Sequence, residues 1–261
     1  MLIKVVAVQA RLGEPLSLAD KLRIFRQRPD FVCLPEYFQL DGTIDDFHRA
    51  ALYRTAHEEY LASLSDELST CLIGGTVVEA DGQQLYNSAC LFNRGELVGR
   101  YRKRYPVPGE RARGITAGDE TAVFEIDGVR VGLMICGDVF HPELYRELGD
   151  HQVDIIMVPT TSPYRPDDSI ARKHHRDRIY FLEGALHSGA YVIKTCGVGA
   201  LFGKPLQGRS LIASPWEIIR RVPVTQEHLP QMLTATLDIT EIREFRRRYR
   251  REVAVSVDVP R

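Results

Sequence analysis

The run VRVGLMIC, residues 129–136, decides how this chain is read, because it stops at Gly137 and Asp138 and gives way to VFHPE, 139–143. Its Val, Leu and Ile residues make a buried strand. Gly137 supports a tight turn, and Pro142 suits the first turn of a helix. A second apolar run, DIIMVP at 154–159, follows that helix. Both runs are strand-sized and far too short to span a bilayer.

Outward from this unit the pattern alternates between β-rich runs and helix-like segments. Strands are expected at 2–9, 31–34, 71–78, 85–92, 96–102, 121–126, 153–158, 190–196, 208–213, 217–222 and 231–238, besides the run ending at Cys136. AspGly at 81–82 and 127–128 and AsnArgGly at 93–95 provide hairpin turns. Helices are expected over 16–28, 45–69, from Pro142, over 168–188 and near 240–249. In the first, Leu16, Leu18, Leu22, Ile24 and Phe25 suit one apolar face. Residues 103–120 carry repeated Gly and Pro and should form a functional loop. Helical crossovers together with direct hairpins predict a mixed-sheet α/β fold with helices outside the sheets, in one domain over 1–261.

The composition excludes several classes. The 261 residues carry a formal charge of −1, so there is no basic excess of the kind that nucleic acid or a membrane surface demands. The N-terminal MLIKVVAVQA is a first strand rather than a signal peptide, having no cleavage-site pattern. Five scattered cysteines without a CxxC pair give no zinc or thioredoxin motif and suit a cytoplasmic location.

Cys136 differs from the other four thiols by its place on a strand–turn–helix corner. A nucleophile there is held rigidly and reaches a cleft, and the Gly137 N–H can point at an oxyanion beside the sulfur. A cysteine ending an apolar strand is nonetheless more often core filling. A thiol nucleophile needs a proton acceptor, and an amine leaving group needs a donor. None of the eight histidines has the flanking pattern of a cysteine-protease base, and the adjacent His174 and His175 diverge on a helix. Glu36, in FVCLPEYF, follows a short strand among apolar neighbours that raise a carboxyl pKa. A solvated helix-start acid is its ordinary alternative. Strand alternation in ELVGRYRK places Tyr101 and Lys103 on one face, opposite Arg100, Arg102 and Arg104. Lys103 is then either a buried charge or part of a solvated basic edge.

LPEYF, YRKRY and MICGD, in that order, resemble the three catalytic motifs of the nitrilase superfamily of carbon–nitrogen hydrolases. The resemblance extends from the first strand to LTATLD at 233–238. It implies Glu36 as general base and acid, Lys103 as stabiliser of the tetrahedral intermediate and Cys136 as nucleophile. Glu110, in ProGlyGlu, would orient the lysine, and Gly137, Tyr37 and Thr161 would contact substrate or oxyanion. It further implies a four-layer αββα sandwich with two mixed β-sheets, no metal and no cofactor, a small-molecule amide or related substrate, and a homodimer or higher homo-oligomer. Two departures bear on substrate: His187 and Ser188 stand where many members have Glu and Asn, and Gly137 replaces a larger residue, predicting a roomier or differently shaped pocket.

The expected activity is hydrolysis of an amide or carbamoyl group through a thioester. Its rivals are hydrolysis of a nitrile, acyl transfer to an amine, and a catalytically silent binding protein. A membrane-bound branch is disfavoured by the lack of apolar spans. Met134 and Asp138 are incompatible with the Gly-x-Cys-x-Gly elbow of a glutamine amidotransferase.

Overall fold

The computed structural model describes residues 1–257, with side chains through Arg248. The strands are β1 (Leu2–Arg11), β2 (Phe31–Cys33), β3 (Cys71–Asp81), β4 (Gln84–Asn93), β5 (Glu96–Arg102), β6 (Val123–Ile126), β7 (Val129–Leu133), β8 (Ile155–Thr160), β9 (Tyr191–Val198), β10 (Ala200–Leu201), β11 (Lys204–Pro205), β12 (Leu211–Ala213), β13 (Ile218–Arg221) and β14 (Gln231–Asp238). The helices are α1 (Leu18–Gln27), α2 (Phe47–Leu52), α3 (Arg54–Glu67), α4 (Pro108–Arg111), α5 (Pro142–Asp150), α6 (Ile170–Asp177), α7 (Glu183–Ser188) and α8 (Ile239–Val257).

Parallel pairs β1–β2–β3 and β7–β8–β9 form two centres, extended by antiparallel hairpins β3–β4–β5 and β6–β7. The two sheets expected from the sequence are joined into one. β1 pairs with β14 through Gln9, and its last residues, Ala10 and Arg11, pair with Gly197 and Val198 of β9. The result is a continuous twelve-stranded mixed sheet plus the small β10–β11 ribbon among the described residues. The join exists because β1 outruns β14 and leaves its end free to bond elsewhere.

Alternation along the strands sorts the core. Val5, Ala7, Cys33, Ile73 and Leu91 of the first half form one cluster with Val131, Leu133, Ile155, Met157 and Ile193 of the second. The opposite faces bury Val6, Val8, Val32 and Leu72 with Ile24 of α1 and Leu61 and Leu64 of α3. On the second half, Ile156, Val158 and Val192 meet Leu144, Tyr145 and Leu148 of α5 and Ala185 of α7.

Three helical expectations need correction. In the first, Leu16 and Ile24 are buried, but Leu18, Leu22 and Phe25 are exposed, since residues 18, 22 and 25 lie on the outward face. The 45–69 segment breaks at Tyr53, which closes α2 and opens α3. The 168–188 segment is interrupted by a wide π turn over Arg178–Leu182, a local form that often accompanies functional sites. No described helix is long and apolar enough to cross a membrane.

Candidate active site

Two strained corners carry the candidate groups. β2 ends against Leu34 and Pro35, and the backbone turns through Tyr37 with φ 55°. Its N–H donates to Thr76 Oγ1 at 2.9 Å. Gly75, at φ +71°, lets β3 approach, because a Cβ there would lie 2.0 Å from the Pro35 carbonyl oxygen. Glu36 is thereby fixed in the interior, 1% exposed.

The second corner is Cys136, which has φ 44°. Left-handed backbone at such a residue costs on the order of 1–3 kcal/mol. Asp138 offsets that cost. Its carboxylate is fully buried and accepts from the Ile135 N–H at 2.8 Å, the Tyr105 N–H at 2.9 Å and the Tyr101 hydroxyl at 2.8 Å. Burial raises the Asp138 pKa, while Lys103 and these donors act against the rise.

Between the corners lies a closed polar cluster. Lys103, 1% exposed, donates to Glu36 Oε1 at 2.8 Å and contacts Glu110 Oε2 at 2.7 Å. Two of its three donors are therefore directed at carboxylates, leaving one for another acceptor. Asn87 of β4 donates to Glu36 Oε1 and Glu110 Oε1, both at 2.8 Å. Glu110, on α4, also accepts from Tyr37 Oη at 2.6 Å and the Val107 N–H at 2.8 Å. Burial opposes the Glu110 charge, but Lys103 and these donors hold its pKa below the ordinary value. Burial also opposes the Lys103 charge, yet Glu36 and the other acidic groups raise its pKa overall.

Thr161, just beyond β8, connects the cluster to the sulfur. Its N–H donates to Glu36 Oε2 at 2.9 Å, and its hydroxyl donates to the same oxygen. Its carbonyl accepts from Cys136 Sγ at 3.1 Å. Burial and the Glu36 carboxylate push the Cys136 pKa well up, against the lowering influence of Lys103. Both influences favour the protonated thiol, whose hydrogen is directed at the Thr161 carbonyl.

A cavity of about 440 Å³ opens onto this cluster, lined by Cys136, Glu110 and Thr161 together with Val139, Phe140, Tyr180 and other side chains. Glu36, Lys103 and Tyr37 each bond to a lining residue, Thr161 or Glu110, and Gly137 adjoins Cys136. The hydroxyl of Tyr37, a residue expected at the substrate or oxyanion, donates to Glu110 Oε1. Gly137 is closely packed, since a Cβ there would lie 2.6 Å from Val107 Cγ1 and 3.2 Å from the Tyr105 carbonyl oxygen. Ser188 bonds back to the Gly184 carbonyl within α7 and closes against Gly149 of α5, so that departure concerns helix packing. The expected 103–120 loop contains the short helix α4, which carries Glu110.

Sequence reading missed Asn87, although an Asn inside the apolar run LYNSACLF was a signal that a buried donor was needed. Lys194, within YVIKTC, carried the same signal and also lines the cavity.

The carbon–nitrogen hydrolase family model matches residues 6–247. The chain belongs to that family. A nitrilase of Pyrococcus abyssi is 28% identical over 94% of this chain and 93% of its own length. A deaminated glutathione amidase of Synechocystis is 27% identical over 80% of this chain and 81% of its own. Among solved structures, a mutant of the amidase from Nesterenkonia sp. AN1, with a covalent acetamide group at its active-site cysteine, superposes with a TM-score of 0.73. It is 18% identical and the match covers 93% of this chain and 92% of that one, a likeness of fold.

Proposed function

We propose that this carbon–nitrogen hydrolase cleaves a small amide or ureido compound through a thioester on Cys136. The observation that carries the reading is the buried contact of Lys103 with both Glu36 and Glu110, bridged through Thr161 to the cysteine at the cavity wall.

In this mechanism Glu36 takes the thiol proton as the sulfur bonds to the substrate carbonyl carbon. The carbonyl π electrons move to oxygen, where the remaining Lys103 donor and the Gly137 N–H stabilise the charge. Such donors contribute about 3–4 kcal/mol each to comparable transition states. The intermediate collapses with rupture of the C–N bond, and Glu36 returns its proton to the departing nitrogen. Water then gives a proton to Glu36 and attacks the thioester. Collapse releases the acid, and the proton goes back to sulfur. Glu110 and Asn87 keep Lys103 and Glu36 in register throughout.

A nitrile is the second reading, favoured by the resemblance to the P. abyssi nitrilase. The same thiol would then form a thioimidate that two waters convert to acid and ammonia. The proposed architecture layers α1 and α3, the two sheet halves, and α5 and α7 as an αββα sandwich, supported by the three packed faces. The proposed single domain is 1–261, of which 258–261 lie outside the described residues.

Ammonia release from short amides, carbamoyl amino acids and nitriles, assayed side by side, tests the substrate bond. Glu36→Gln should lower turnover by about 10²–10⁴-fold, the usual contribution of a proton-transfer group. Peptide mass mapping should find the acyl mass on Cys136 and on no other cysteine. Turnover that survives Cys136→Ala would end the proposal.

A further inference from the structure

One end of the cavity is cationic beyond the needs of the chemistry at the other. Lys194 of β9 and Arg209, at 2% and 5% exposure, both line it. Neighbouring charges are matched in pairs: Lys173 with Glu227 at 2.6 Å, and Arg176 with Asp168. Asp177 is different. It is the one carboxylate within 4 Å of Lys194, Arg209 and Arg221 among the described residues, and it lies at 3.4, 3.4 and 3.8 Å from them.

A buried cation without a counter-charge is costly, so an excess at a cavity wall is retained where an anion arrives to complete it. The hydrogen bonding agrees with the charge count. Arg209 donates through Nη1 to the Lys173 carbonyl at 2.9 Å, while its buried Nε has no hydrogen-bond partner among the described residues. Lys194 rests over the Phe181 ring, 4.6 Å from its centroid. That contact leaves its ammonium donors without a full set of acceptors. Arg113, Arg165 and Lys204 are exposed at the same cavity, where cations guide anions inward.

Resting on the hydrolase reading above, we propose that the cavity selects amide or ureido substrates bearing a carboxylate, which Lys194 and Arg209 hold away from Cys136. The fold sets the spacing. Lys194 pairs with Val158 in β8, three residues before Thr161, or roughly 10 Å along the strand. A carboxylate separated from the scissile carbon by a few methylenes bridges that span once the lysine and arginine reach inward. Arg209 offers planar donors suited to a carboxylate, and Lys194 adds a compact charge.

The test compares glutaramate with hexanamide, and N-carbamoyl-β-alanine with butylurea, so that the carboxylate is placed on the acyl side or on the leaving-amine side. At least one anionic compound should exceed its neutral counterpart in kcat/KM by about 10- to 100-fold, mainly through KM. Lys194→Met and Arg209→Gln should each bring that ratio toward one, and Arg209→Lys should restore part of it. A readout free of turnover uses Cys136→Ala: glutarate should raise its melting temperature, and the rise should vanish when Arg209→Gln is added. Equal preference for neutral compounds, or no response to glutarate, overturns the anion site and leaves the hydrolase reading standing. A glutarate response without hydrolysis of any compound, and without an acyl adduct, supports the anion site and overturns the hydrolase reading.

Discussion

At the scale of single residues, the site depends on close approach. Gly137 is required because Val107 occupies the space of a side chain, with a Cβ position 2.6 Å from Val107 Cγ1. Val107 is β-branched and stiff, and its N–H donates to Glu110. Gly137→Ala would therefore displace the turn that holds Glu110, which contacts Lys103. Overpacking of this kind costs about 1–3 kcal/mol. The expected outcome is a matching fall in stability by urea titration and at least a tenfold loss of kcat. Val107→Ala in the same chain should recover part of both. Wild-type values for the single variant would mean that the turn is not close-packed. Glu36, Lys103 and Cys136 were legible as candidates because each follows a strand in a distinctive motif. Asn87 was not, since only strand pairing reveals that its amide lies between two carboxylates.

At the scale of elements, strand patterns were legible because a two-residue period survives in sequence, whereas partners outside the strand pair do not. The breaks at Tyr53 and Arg178–Leu182 follow tertiary packing, which a helical periodicity cannot record. Asp154, at the end of the 142–154 crossover, illustrates such a hidden partner. Fully buried, it accepts from Arg243 at 2.6 and 3.0 Å, Arg246 at 2.6 Å and the Arg130 N–H at 3.0 Å. These bonds fasten α8 to the sheet. Burial opposes the Asp154 charge, but the two arginines overcome it and lower the pKa. Its contribution is therefore complete above the unfolded value of about 3.9, and it is lost as pH falls through the lower folded value. Breaking a buried pair costs about 3–5 kcal/mol, and the half-exposed Arg243 argues for the lower end. Asp154→Asn should thus melt well below the wild type at pH 7, and the gap should narrow as both are acidified below pH 4. A gap that is constant with pH would exclude the ionic origin.

At the scale of the whole molecule, the candidate site draws on both halves of the sheet. Glu36 and Lys103 follow β2 and β5 and Asn87 lies in β4, while Cys136 and Thr161 follow β7 and β8. The halves share one cluster and are continuous where Ala10 and Arg11 meet Gly197 and Val198. Gly197 admits this approach, since a Cβ there would lie 2.7 Å from Leu12 Cδ2. Neither half retains a buried inner face without the other, so unfolding should be a single transition. Two local reporters can separate the halves. Trp216, the chain's one tryptophan, packs near Tyr191 of β9 and Phe245 of α8. Cys33 ends β2, and burial pushes its thiol up to about 12, so it reacts with a thiol reagent only when exposed. In urea, Trp216 emission, Cys33 labelling and far-ultraviolet circular dichroism should share one midpoint, and activity should disappear with them. An earlier Trp216 midpoint, with Cys33 still protected, would make the halves separable. The candidate site would then be a contact between two folding units rather than a product of one.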